Sequence, residues 1–188
     1  MDLHAPQIQG FFRIPVDDLY ALPVLGKAIK AKKLQNLVVV SPDTGFVKQA
    51  RRYATLLQCN LAIGDKERIN HDENAEILQI IGDVKGKTAM IVDDFAISAG
   101  TLVEIANTLI EKGASSVYAA ITHGVFAPGT KERIDDSPIT KLLVTDSIET
   151  QPTPMSDKVE IVSVAAYLGE AIRRIHNRES ISVLFSNA

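Results

Sequence analysis

An α/β fold is expected from the sequence, a mostly parallel sheet flanked by helices, on three observations. Short apolar runs rich in β-branched residues recur along the chain. Between them lie segments whose apolar residues repeat at helical spacing. With 188 residues and 46% hydrophobic composition, the chain can also bury one sizeable core. Strands that alternate with helices pair in parallel, because each helix carries the chain back across the sheet.

Taken in order, Pro6, Pro15 and Pro23 punctuate the first two dozen residues, which read as a separate segment ahead of the core. Leu37–Val40 is the first strand. Val47, Ala50, Ala54 and Leu57 then fall on one helical stripe. Leu61–Ile63 and Thr88–Val92 are the next strands, followed by a stripe of Leu102, Ile105, Ala106, Leu109 and Ile110 that Gly113 terminates. Val117–Thr122, Leu142–Thr145 and Val159–Val162 complete the strands. A last stripe, Leu168, Ala171, Ile172 and Ile175, is expected to be core, and Ser180–Phe185 reads as a strand. Repeats and low-complexity tracts are absent.

Composition excludes several function classes. A net charge of −3 offers no global positive field for nucleic acid or an anionic membrane, so an anion must be held locally. The single cysteine, Cys59, rules out an internal disulfide framework, fits a reducing cytoplasm and reads as a small buried residue. No apolar run reaches transmembrane length, and MDLHAPQIQG lacks the basic and apolar regions of an export signal.

Chemistry is concentrated at strand ends, where open α/β sheets place their ligands. Ser41-Pro42-Asp43-Thr44-Gly45 joins a strand to a helix, in a composition that an ordinary turn would also have. AMIVDDFAISAGT is more specific: Asp93 and Asp94 close an apolar strand and cannot both be buried unpaired. Ser98, Ala99, Gly100 and Thr101 then open a helix with backbone amides, two hydroxyls and little side chain to block an approaching phosphate. The acids can accept hydrogen bonds from sugar hydroxyls or hold a divalent cation, and the cup can take a phosphate. A phosphorylated polyol carries both groups a few ångströms apart. On residue type alone, Lys66 and Arg68 in GDKERINHDEN read as solvated surface charges.

The two aspartates and the small-residue turn ending in Gly-Thr resemble the phosphoribosyl diphosphate loop of type I phosphoribosyltransferases. Together with MDLHAPQIQGFF, NLVVVSPDTG, IIGDVKGKTAMIVDD, THGVF and EAIRRIHNRESISVLF, in that order from Met1 to Phe185, they resemble the ribose-phosphate pyrophosphokinases. The resemblance implies a type I phosphoribosyltransferase-like fold and transfer of the diphosphoryl group of ATP to the anomeric hydroxyl of ribose 5-phosphate, with Mg2+. Residue by residue, it assigns His4 and Asp43 to metal-linked binding, and Asp93, with Asp94, to the ribose side. Ser98–Thr101 would hold the 5-phosphate, and Lys66 and Arg68 would be the basic pair of a catalytic loop. His123 and His176 are expected to be packing or capping residues, and His71 has no role. Three domains of the chain follow: an interdomain segment 1–24, a phosphoribosyltransferase-like domain 25–179, and a C-terminal strand and tail 180–188. A cytoplasmic homo-oligomer is expected. The chain departs from the family pattern at Ile97, where a third aspartate is usual, and at Arg13, where many members have an acid. It also reads as a C-terminal portion, which leaves a non-catalytic phosphoribosyl-ligand binding or regulatory module as the alternative.

Overall fold

The computed structural model describes residues 1–68, 76–149 and 155–186. After a 3-10 turn at Pro6–Phe11, the elements are α1 (Leu22–Ala31), β1 (Leu37–Ser41), α2 (Val47–Leu57), β2 (Asn60–Arg68), β3 (Glu76–Ile81) and β4 (Thr88–Ala96). They continue with α3 (Gly100–Glu111), β5 (Ser116–Gly124), α4 (Thr130–Asp135), β6 (Ile139–Thr145), β7 (Val159–Val162), α5 (Ala165–His176) and α6 (Val183–Ser186).

The strands form one sheet in the order β3-β2-β1-β4-β5-β6-β7. All neighbours are parallel except β2 and β3, which pair antiparallel. Side chains alternate across the central strands, so each strand feeds two cores. Val38, Val40, Ala89, Ile91, Ala119 and Ile121 pack toward α3 with Leu102, Ile105 and Leu109. Val39, Met90, Val92, Ala120 and Leu143 pack toward α1 and α2 with Leu25, Ile29, Ala50 and Ala54. The near-continuous apolar runs noted in the sequence are thus strands buried on both faces.

Three expectations are corrected. Ser180–Phe185 is a turn leading into α6, because Leu184 N bonds Ile181 O at 2.9 Å and Phe185 N bonds Ser182 O at 3.0 Å, closing helical rather than extended backbone. The α5 stripe is not core: Ala171 is buried, whereas Ile172 is 67% and Ile175 56% exposed, since no element of the described chain covers that face. Lys66 and Arg68, expected on a loop, are in β2, where they pair with Leu78 and Glu76 of the unanticipated β3. The ladder satisfies their backbone groups, which a loop would leave to water. Residues 22–24 belong to α1, so that helix begins inside the segment assigned to 1–24.

The chain runs from β1 outward to β2 and β3, then returns to the other side of β1 to lay down β4 through β7. The direction reverses between β1 and β4. Open parallel sheets form a crevice at such a point, beyond the carboxyl ends of the strands.

Candidate functional site: a cleft between the ends of β1 and β4

A cleft of about 330 Å³ lies at that reversal. β1 delivers Asp43, β4 delivers Asp93 and Asp94, and the turn into α3 delivers Ile97 to Thr101. His4 closes one side from the N-terminal segment. Eight of the ten residues singled out in the sequence therefore meet in one cleft: His4, Asp43, Asp93, Asp94, Ser98, Ala99, Gly100 and Thr101. Lys66 and Arg68, the other two, have side chains outside the described residues. Arg13 is exposed and does not line the cleft.

Each acid has a distinct setting. Asp43 Oδ1 accepts the Phe46 amide at 2.9 Å and Ser41 Oγ donates to the Asp43 carbonyl at 2.7 Å, which fixes the turn ahead of α2. The turn also depends on Gly64 of β2, where a Cβ would stand 2.7 Å from the Pro42 carbonyl oxygen. Asp94 is buried, and its Oδ2 is 2.8 Å from His4 Nδ1. That bond holds the His4 imidazole above the usual histidine pKa. The ring also stands edge-on to Phe95, with centroids 4.8 Å apart. Asp94 is thus paired with His4, while the Asp93 carboxyl lines the cleft beside it. Burial, then the adjacent Asp94 charge, pushes the Asp93 carboxyl up to about 7, although its Oδ1 accepts the Asp94 amide at 3.0 Å.

The cup is built against α3. Ala99, the residue before that helix, is buried with φ 56°, a left-handed conformation that suits glycine better than alanine. The first intrahelical bond here, Val103 N to Ala99 O at 3.0 Å, leaves the Gly100, Thr101 and Leu102 amides without an intrahelical acceptor. Gly100 is open: a Cβ there would meet only Ser98 Oγ, at 3.5 Å. Ile97, 51% exposed, lies in the lining where an acid was expected from the family pattern.

Sequence reasoning missed two residues behind the cup. Thr130 of α4 is buried and its Oγ1 donates to Ala127 O at 2.6 Å and, more weakly, to Ile97 O at 3.4 Å. Arg133 donates from Nη1 to the Ser98 carbonyl. Neither could have been found from spacing, since Ile97 and Ser98, whose carbonyls they reach, lie more than thirty positions away along the chain. His123, for which a packing or capping role was expected, is half-buried, with Nδ1 2.7 Å from Ser147 Oγ and Nε2 3.0 Å from the Met1 carbonyl.

Among the described residues, no three His, Cys, Asp or Glu side chains converge as a metal-binding group. An all-protein cage is therefore not what the cleft offers. The donors it does offer are a hard Asp43 carboxylate and the exposed His4 ring, whose Nδ1 is engaged by a carboxylate as in many metal-ligating histidines. The Asp43 carboxylate fits a hard cation that keeps most of its waters and ligand oxygens, as Mg2+ does, whereas the His4 imidazole is a softer donor.

Comparison with known proteins agrees with the architecture. Residues 69–186 match the family described as the phosphoribosyl synthetase-associated domain. The ribose-phosphate pyrophosphokinase of Oceanobacillus iheyensis is 48% identical over 185 residues, which cover 98% of this chain and 58% of that protein. The Bacillus subtilis protein of the same name is 45% identical over 186 residues, covering 99% of this chain and 58% of its own length. A crystal structure of phosphoribosylpyrophosphate synthetase from Mycobacterium smegmatis superposes with a TM-score of 0.84 at 33% identity, covering 94% of this chain and 57% of that one. The chain therefore spans somewhat over half the length of the relatives it matches. No helix among the described residues is long and apolar enough to cross a membrane. With the fold, the cleft and the match over residues 69–186 in agreement, the chain belongs to the phosphoribosyl synthetase-associated domain family.

Proposed function

We propose that the chain carries the ribose 5-phosphate site of a ribose-phosphate diphosphokinase, acting with ATP in the cytoplasm as a homo-oligomer. The observation that supports this most is the meeting of a carboxylate pair and an open amide cup in a single cleft. The cup takes the 5-phosphate on the amides of Ser98 to Thr101. Asp93 accepts hydrogen bonds from the ribose hydroxyls, and Asp94 sets the orientation of His4.

The anomeric oxygen attacks the β-phosphorus of ATP, the bond from that phosphorus to the α–β bridging oxygen breaks, and AMP departs with the oxygen. The proton of the anomeric hydroxyl passes to solvent. No side chain becomes a covalent nucleophile: the chain positions the sugar and neutralises charge. Mg2+, held by Asp43 and His4, would screen the phosphate oxygens. Lys66 and Arg68 are assigned the remaining charge that develops on the transferred group. Nucleic acid and membranes are not partners, in keeping with the charge of −3.

The test is to titrate the chain with ribose 5-phosphate by calorimetry, then incubate a chain extended to the length of its relatives, since this one is expected to be incomplete alone, with ATP, Mg2+ and ribose 5-phosphate and measure AMP. Sugar-dependent AMP is expected. Binding without AMP would assign a non-catalytic module, and no binding at all would refute the placement of the site.

A further inference from the structure

We infer that Arg133, assisted by Thr130, is a positioning residue that aims the amides of the cup by holding the carbonyls on its far side. The inference rests on the reading of Ser98–Thr101 as a phosphate site. Three consecutive carbonyls carry it. Ala96 O accepts the Val125 amide at 2.9 Å, Ile97 O accepts the Ala127 amide at 2.7 Å, and Ser98 O accepts Arg133 Nη1. All three donors come from the loop after β5 and from α4.

β4 lies between β1 and β5, so these carbonyls are all drawn to the β5 side. In a planar trans peptide the following N–H points the opposite way. The Ile97, Ser98 and Ala99 amides therefore face the β1 side, where Asp43 and the cleft lie. Continued by the acceptor-free amides at the start of α3, they form a concave run of donors of the kind that binds anions. The first two carbonyls are held by main chain, and a sequence change cannot easily release them. The third depends on one side chain.

That side chain is well placed to hold it. Arg133 is itself exposed, but its neighbours in α4, Thr130 and Ile134, are each 1% exposed, which fixes the helix that carries it relative to the core. An arginine this close to a phosphate site could instead act as a plain cation. Salt separates the two roles, because the attraction of an exposed charge is screened and the direction of a peptide plane is not.

Arg133→Ala and Arg133→Lys test the inference in two arms. In the ligand-free chain, amide order parameters at Ser98 and Ala99 should fall in Arg133→Ala from the rigid range near 0.85 toward about 0.6. Lysine, which keeps one donor, should restore them, and the melting temperature should stay unchanged because the site is exposed. In the second arm, ribose 5-phosphate affinity should drop about tenfold in Arg133→Ala, the effect of one misdirected charge-assisted donor set. The ratio of wild-type to variant affinity should be the same at 50 and 500 mM NaCl. Unchanged order parameters, or a ratio that collapses at high salt, would overturn the positioning role. Loosened amides in a chain whose wild type binds no ribose 5-phosphate would leave that role standing and refute the phosphate reading instead.

Discussion

Asp93→Asn should stabilise the free chain and abolish ribose 5-phosphate binding. Burial and the neighbouring Asp94 raise the Asp93 carboxyl from 3.8 to about 7. Between those values the folded chain keeps a proton that the unfolded chain has released, so stability falls as pH rises through the window and the full cost is present above it. The interval of about 3.2 units, at roughly 1.36 kcal/mol each, sets an upper limit near 4 kcal/mol. Solvent in the open cleft screens the charge and brings the expected gain to roughly 1–3 kcal/mol at pH 8. Asparagine retains an Oδ1 acceptor for the Asp94 amide, which sits 3.0 Å away, so the turn should persist. Urea midpoints in EDTA, which removes any cation that would ionise Asp93, give the comparison. At pH 5 the unfolded chain has gained only about 1.2 of the 3.2 units, so the variant's advantage should be less than half its pH 8 value and should vanish toward pH 4. Equal midpoints at pH 8, or a gain that does not change with pH, would refute the reasoning.

Other substitutions probe the same region. Gly100→Val should abolish ribose 5-phosphate binding in calorimetry with no loss of fold, since the added Cβ meets only Ser98 Oγ at 3.5 Å while its branches block the amides. Gly64→Ala should lower stability by roughly 1–3 kcal/mol in urea and disturb Asp43, because the new methyl would stand 2.7 Å from both the Pro42 carbonyl and Ile105 Cδ1. Ala99→Gly should change stability by less than about 1 kcal/mol, as relief of the left-handed backbone is offset by a lost buried methyl and a more flexible unfolded chain. In a chain extended to the length of its relatives, Lys66→Ala should lower turnover roughly 100-fold and ribose 5-phosphate affinity by less than about fivefold. Near-normal turnover would return Lys66 to an ordinary surface role.

The strands of the central sheet were legible because Leu37–Val40 and Thr88–Val92 are apolar on both faces, which only a doubly covered sheet requires. The order of the strands was not, since a parallel crossover can add a strand on either side of its predecessor. β3 was missed because Glu76 and Gln79 break up EILQII, and its pairing with β2 is a long-range fact of register. That same pairing turned the expected loop around Lys66 and Arg68 into strand. Periodicity correctly gave α5 an apolar face, but it carries no information on what covers that face, and Ile172 and Ile175 are exposed. The two acids and the small-residue cup were legible because their chemistry is local. The hold on the cup from Thr130 and Arg133 was not, because TKERID reads as any short polar helix.

Backbone strain gathers where the cup meets its support. Ala99 has φ 56° and Phe126 has φ 47°, and for a bulky residue such as phenylalanine that region is a true outlier. They flank the bonds that join the two loops, from Val125 to Ala96 and from Ala127 to Ile97. Such residues cost about 1–3 kcal/mol each, and glycine would relieve either backbone. Yet both side chains are buried in the core against α3, at 3% and 5% exposure. Removing the phenyl ring would forfeit roughly 1.5–3 kcal/mol of burial, as much as the strain it relieves. Packing therefore offsets the strain rather than relaxing it, and the cup is fixed from behind by the core before any ligand arrives. A cup held this way loses little conformational freedom on binding, so the affinity of its amides for a phosphate is not spent on ordering the loop.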